Sequence, residues 1–120
     1  MSEVRIGLVG LKWGMSHVKT IANLDGARVA AVADNARVQG GKMSVVEFAA
    51  SIGAAAYDDG IRMIREAEID AVDLVVSPQW REPLLRAAAE RRLPVLMEKP
   101  MSDNLAQGEL FARIAAQAGI

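Results

Sequence analysis

The residues of this chain whose types and spacing could do chemistry fall in four short stretches: Gly10 to Met15, Asp34 to Arg37, Ser77 to Trp80 and Glu98 to Pro100. The first, Gly10-Leu11-Lys12-Trp13-Gly14-Met15, follows an apolar run and precedes a helical pattern. A strand, a glycine turn and a helix in that order present free backbone N–H groups at the helix start, where they and the helix dipole favour a phosphate. The dinucleotide fingerprint G-x-G-x-x-G is met only in part. Gly10 can serve as its first glycine, but Lys12 stands at the second position and glycine returns early, at Gly14. Many strand–helix connections need a glycine for reasons unrelated to a ligand, so Asp34 carries more weight. It closes the next apolar run, twenty residues after Gly14, where an acidic side chain accepts hydrogen bonds from an adenosine ribose. Asp34 could instead cap a following helix.

Glu98-Lys99-Pro100 places a carboxylate and an ammonium side by side at the end of another apolar run, with proline biasing Lys99 toward extended backbone. A lysine there can meet the nicotinamide end of a dinucleotide or a substrate hydroxyl and donate a proton. Alternatively both charges sit in solvent and the proline only ends the strand. Ser77-Pro78 offers a hydroxyl and a rigid turn to a cofactor ring, or plain strand termination. Trp13 and Trp80 lie in the same loops and could wall a ligand or cover an interface. His17 is the single histidine and there is no cysteine, so no metal site is expected and His17 reads as structural. Arg91-Arg92, at a helix end, reads as a solvated, dipole-favoured pair.

Strands alternating with helices must position these stretches. Val4, Ile6, Leu8 and Val9 have no helical period and suit a strand buried on both faces. Met15, Val18 and Ala22 form one stripe of the helix that follows, Asp25-Gly26 is a turn, and Ala27 to Ala33 is the second strand. From Asn35 to Lys42 the pattern weakens, and Gly40-Gly41 argues against a continuous helix. Ser44 with Glu47 makes a capping box for a helix through Ile52, ended by Gly53. Ala54 to Tyr57 is a short edge strand, and Asp58 or Asp59 caps a helix with Ile61, Ile64 and Ala67 on one face. Asp70 to Val76 is the fourth strand, followed by a helix from about Glu82 to Arg92 with Pro83 in its first turn and Leu84, Leu85 and Ala88 inward. Leu93 to Met97 is the fifth strand, and Asn104 with Gln107 caps a last helix that sets Leu110, Phe111, Ile114 and Ala118 against the sheet. The pattern predicts an α/β fold, a Rossmann-type doubly wound parallel sheet of about five strands ordered 3-2-1-4-5 with helices on both faces. Ligands bind such sheets outside the carboxyl ends of the strands, near the reversal of strand order, and the four loops meet there.

Composition agrees with this class and excludes others. The 120 residues are 52% hydrophobic but only 4% aromatic, which suits a parallel sheet with helices better than a β-sandwich. The net charge of −1 and a pI near 5.8 give no attraction for nucleic acid or an anionic membrane. No apolar run approaches membrane-spanning length, the amino terminus has no signal-peptide pattern, and a cytoplasmic location is expected.

Taken together, Ile-Gly-Leu-Val-Gly at 6–10 with His17 shortly after, Val-Ala-Asp at 32–34, Tyr-Asp-Asp at 57–59, Ile-Asp-Ala-Val-Asp at 69–73, Ser-Pro at 77–78 and above all Glu-Lys-Pro at 98–100 resemble the Gfo/Idh/MocA family, the glucose–fructose oxidoreductase and inositol dehydrogenase relatives. The resemblance covers nearly the whole chain. It implies a Rossmann domain that binds NAD, with NADP left open by Arg37, and a larger α+β domain that supplies most of the substrate pocket. By the same resemblance, Gly10, Leu11, Lys12, Trp13, Gly14 and Met15 hold the pyrophosphate, and Asp34, Asn35 and Arg37 surround the adenosine ribose. Ser77 and Pro78 lie by the nicotinamide. Lys99 is the catalytic contact to substrate and cofactor, with Glu98 and Pro100 setting its loop.

The chain also departs from the family pattern. Lys12 replaces a glycine, the first loop is a residue short, and Gln79-Trp80-Arg81-Glu82 stands where relatives commonly have Asn-His-x-His. The segment between Asp34 and Gly53 is longer than usual. Residues 1–120 are therefore expected to form one dinucleotide-binding domain without the substrate domain, its fifth strand an open edge for a second copy or a separate substrate-domain chain. The expected parent reaction is hydride transfer between nicotinamide and a sugar- or cyclitol-like hydroxyl or carbonyl, not carried out by this domain alone. The alternative is a non-catalytic dinucleotide-sensing, partner-binding or assembly module on a degenerate Rossmann fold.

Overall fold

Each apolar run becomes a strand in the computed structural model, which describes residues 2–34 and 43–120. The strands are β1 (Val4–Val9), β2 (Ala27–Ala33), β3 (Ala55–Tyr57), β4 (Ala71–Leu74) and β5 (Val95–Met97), and the helices α1 (Gly14–Ala22), α2 (Val45–Ile52), α3 (Gly60–Glu66), α4 (Arg81–Glu90) and α5 (Leu105–Ala118). The strands form one sheet in the order β3-β2-β1-β4-β5, and every pairing is parallel. This is the expected Rossmann-like α/β arrangement. The strands are shorter than their apolar runs because pairing ends before hydrophobicity does. Val75 and Leu93 are buried core residues just outside β4 and β5.

Alternation along the strands divides the core. Leu8, Val29 and Val32 face α1 and α2, where they meet Val18, Ile21 and Phe48. Val9, Ala31, Ala33, Val72 and Leu74 face the opposite side and pack with Met63 and Ile64 of α3 and Leu84 and Ala88 of α4. Phe111 and Ile114 of α5 close on Leu85 and on the flank of β5. The inner stripe of α1 is Gly14, Val18 and Ile21, not Met15, Val18 and Ala22; Ala22 is exposed. Gly14 lets the helix lie so close to the sheet that a Cβ there would sit 2.7 Å from Leu8 Cδ2, and this rotates the buried face by one residue.

Local punctuation follows side-chain chemistry. The Ser44 hydroxyl accepts from the Glu47 N–H, and Gly53 ends α2 in the left-handed region at φ 71°. Asp59, rather than Asp58, caps α3 by accepting from the Ile61 N–H. The Asn104 carboxamide accepts from the Gln107 N–H at the start of α5. The helix after Ser77-Pro78 opens with a 3₁₀ turn, Pro78–Trp80, so α4 begins one residue earlier than expected and ends at Glu90. The reading of Asn35 to Lys42 lies outside the described residues.

Among the described residues, no element covers the α1 side of β4 and β5. The bare face forms an apolar groove of about 590 Å³ lined by Ile6, Ile21, Leu24, Asp73 and Leu96, with Leu96 62% exposed. No described helix is long and apolar enough to cross a membrane.

The chain leaves β1 through Gly10 at φ 97°, and a Cβ at that position would lie 2.3 Å from the Val75 carbonyl oxygen. That oxygen belongs to the backbone and cannot move aside as a side chain could. Gly10→Ala should therefore lower the unfolding free energy by about 3 kcal/mol, measured by urea unfolding. An unchanged midpoint would contradict the close crossing.

Candidate functional site

The strand order reverses between β1 and β4, and the loops after β1, β2, β4 and β5 converge at the carboxyl end of the sheet. Gly10 begins the first loop, its N–H donating to the Ala33 carbonyl at 3.0 Å. The Leu11 side chain is wholly buried, so only its backbone faces the loop. That N–H donates to Asp34 Oδ2 at 2.6 Å. Asp34 is thus drawn to the glycine turn from the end of β2, which places its carboxylate beside the start of α1. Asn35 and Arg37 lie outside the described residues.

Lys12 and Trp13 are exposed, Met15 is half-buried at the edge of the core, and α1 starts at Gly14 with no side-chain cap at Trp13. An uncapped start leaves backbone N–H groups available to an external acceptor. Next to it lies a cavity of about 370 Å³, lined by Gly10, Asp34, Asp58, Gly60, Val76 and Trp80. Trp80, 62% exposed, lines this cavity. Asp58 enters the sequence reading as a candidate cap and within Tyr-Asp-Asp at 57–59, and Gly60 not at all. The acidic pair after Tyr57 was the available signal.

Ser77 is exposed at the head of the 3₁₀ turn, and the Pro78 carbonyl accepts from Gln107 Nε2 at 3.2 Å. Arg81, 1% exposed, ties this loop to the next. Its Nε donates to the Val76 carbonyl at 2.9 Å, and its Nη1 donates to the carbonyls of Pro100 and of Met101, the latter at 3.0 Å. The Glu98–Pro100 loop is therefore held by a buried guanidinium. In the sequence Arg81 stands out only as a departure from the family motif, because α4 carries Glu82, Arg86 and Glu90 as well and nothing local marks which charge is buried. Arg91 is exposed at the end of α4, as expected, and its Nη1 also donates to the carbonyls of Ile64 at 2.6 Å and Ala67 at 2.9 Å, joining α4 to the end of α3.

His17 has more than a packing role. Its Nδ1 lies 2.6 Å from Asp73 Oδ2 and its Nε2 lies 2.8 Å from Glu98 Oε2. The other Glu98 oxygen accepts from the Lys99 N–H at 2.9 Å. Asp73 points from β4 toward α1, is 2% exposed, and has no hydrogen-bond partner for Oδ1 among the described residues. The hydrogen bond to Asp73 raises the His17 pKa above its ordinary 6.5, against the effect of burial. Burial pushes the Asp73 carboxyl up more strongly than the imidazole pulls it down. The Lys99 N–H and then His17 hold Glu98 low. The two raised groups act together, so the pair retains a proton to higher pH. The Lys99 side chain is exposed.

The sign of the pH dependence follows. A His17 pKa raised in the folded chain gives stability that is complete below about 6.5 and lost as pH rises through the folded value. The melting temperature should fall from neutral into alkaline pH, and circular dichroism melts would show it. His17→Leu leaves Asp73 buried without its partner and should cost about 3 kcal/mol at neutral pH. A pH-independent melt, or a neutral His17→Leu, would contradict the pairing.

Residues 4–120 match the family model of the Gfo/Idh/MocA oxidoreductases, described as an NAD-binding Rossmann fold. The chain is 32% identical over 122 residues to inositol 2-dehydrogenase 1 of Mycolicibacterium vanbaalenii, an alignment covering 100% of this chain and 34% of that protein. A probable dehydrogenase from Thermotoga maritima superposes with a TM-score of 0.84 at 28% identity, over 98% of this chain and 34% of the other. Scyllo-inositol dehydrogenase from Lactobacillus casei, solved with NAD(H) and scyllo-inositol, shares the fold at a TM-score of 0.84 and 24% identity, over 98% and 34% of the two chains. The chain thus spans about a third of the length of the relatives it matches. It belongs to the Gfo/Idh/MocA family of oxidoreductases and carries that family's NAD-binding Rossmann fold.

Proposed function

We propose that the carboxyl end of this sheet binds NAD(H), and that within a complete oxidoreductase it serves hydride transfer to or from a sugar- or cyclitol-like hydroxyl or carbonyl carbon. The observation that carries the reading is the contact between the Leu11 N–H and Asp34 beside the uncapped start of α1. That contact supports the reading because it brings the carboxylate that would take the ribose next to the helix end that would take the phosphate. Gly10 lets the chain turn against the Val75 carbonyl and so brings the loop to the start of α1. Lys12, on the exposed rim of the turn, adds a cation for phosphate where the family has a glycine. Asp34 and Asp58 in the adjoining cavity repel a ribose 2′-phosphate, which favours NAD over NADP.

Ser77 and Pro78 sit on the β4 side, toward the nicotinamide end in this reading. Bound NAD supplies a ring that accepts or returns hydride. Lys99 would hold the substrate oxygen at Nζ and pass a proton to or from it, and Glu98 and Arg81 fix the loop that carries Lys99. Residues 1–120 are in this account one dinucleotide-binding domain, and the remaining substrate groups come from a further domain or a partner chain. The open edge of β5 and the bare face beside it suit such a contact. That same surface is the observation favouring the second reading, a sensing or assembly module with no chemistry of its own.

Calorimetric titration of the chain with NAD⁺, NADH, NADP⁺ and NADPH tests the proposal. NAD(H) should bind with saturation and more tightly than NADP(H), and Asp34→Ala should weaken it about tenfold or more, the value of a charge-assisted hydrogen bond. A folded chain that binds none of the four would overturn it.

A further inference from the structure

His17 stands between two carboxylates with both ring nitrogens engaged, at 2.6 Å from Asp73 and 2.8 Å from Glu98. A neutral imidazole has one N–H to donate, so its second nitrogen would face a carboxylate oxygen lone pair to lone pair. The arrangement is satisfied when the ring carries both protons. The groups facing the ring come from two elements, Asp73 from β4 and Glu98 from the loop after β5; Lys99 acts on Glu98, and Glu98 in turn acts on the Arg81 guanidinium of α4. Asp73 is buried, and His17 is its one hydrogen-bond partner among the described residues. Glu98 is bound to His17 through one oxygen and to the Lys99 N–H through the other. A continuous chain of contacts therefore runs from the interior of the sheet through α1 to the backbone of Lys99.

We propose that protonated His17 is a positioning residue of the NAD(H) site: it holds Glu98, and through Glu98 the Lys99 backbone, so that dinucleotide affinity is tied to the protonation of this one imidazole. The inference rests on the NAD(H) reading above. Linkage makes it reciprocal: if the imidazolium favours binding, bound dinucleotide favours the imidazolium by the same factor.

Because His17 is the single histidine of the chain, its ring is a unique nuclear magnetic resonance probe. Ring ¹⁵N shifts would be followed across the pH range with and without saturating NADH, and NADH affinity would be measured over the same range. Both ring nitrogens should be protonated at neutral pH, and NADH should move the titration midpoint upward. Affinity should fall about fivefold or more as the ring deprotonates. In Glu98→Gln without NADH, the midpoint should drop toward the ordinary value. If NADH binds the wild-type chain but the His17 midpoint does not move, the inference fails and the NAD(H) reading stands. If NADH does not bind the folded chain, both fail. A midpoint unaffected by Glu98→Gln would remove the link between His17 and the Lys99 loop.

Discussion

The carboxyl end of the sheet depends on the crossing at Gly10. β1 and β4 are neighbours where strand order reverses, and the chain leaving β1 must pass within contact distance of the Val75 carbonyl. Only a residue without Cβ, free to take a φ of 97°, can make that turn. From it, Leu11 drops into the core, its N–H meets Asp34, and α1 starts at Gly14 pressed against Leu8. An uncapped helix start and an acidic group are thus brought together by one steric constraint. The missing second glycine of the fingerprint does not prevent this, because Lys12 lies on the exposed outer side of the turn.

The loop after β5 is held differently, by charged groups with few alternatives. Arg81 is buried among backbone carbonyls and Asp73 is buried against a single imidazole. Burying a charge is expensive, and apolar side chains of similar volume would often stabilise the fold as well or better. Both groups converge on the four residues Glu98 to Met101, whereas the ion pairs Arg62–Glu66 and Arg86–Glu82 lie exposed along helix surfaces and contribute little. That expense falls where the geometry of Lys99 is set.

Much of the architecture was legible in the sequence because it is written locally. Strand order follows from alternating apolar runs and right-handed crossovers, and the caps at Ser44, Asp59 and Asn104 bond to residues two or three positions away. The residues gathered at the carboxyl end of the sheet were legible where they form a motif, as at Gly10, Asp34 and Glu98-Lys99-Pro100. The arrangement was not legible where side chains meet across the fold. The partners of His17, Asp73 and Glu98, are 56 and 81 residues away, and the Ile64 and Ala67 carbonyls that Arg91 meets lie 27 and 24 residues back. A periodicity argument misassigned Ala22 by one position because it could not see how closely Gly14 approaches Leu8.

The most direct test of the account is a map of backbone amide shifts in the ¹⁵N-labelled chain as NADH is added. The account predicts perturbations at the amides of Gly10 to Met15, Asp34, Ser77 and Glu98-Lys99, which lie on four separate loops and share only the carboxyl end of the sheet. Perturbations confined to the groove beside Leu96, or spread without regard to those loops, would contradict it.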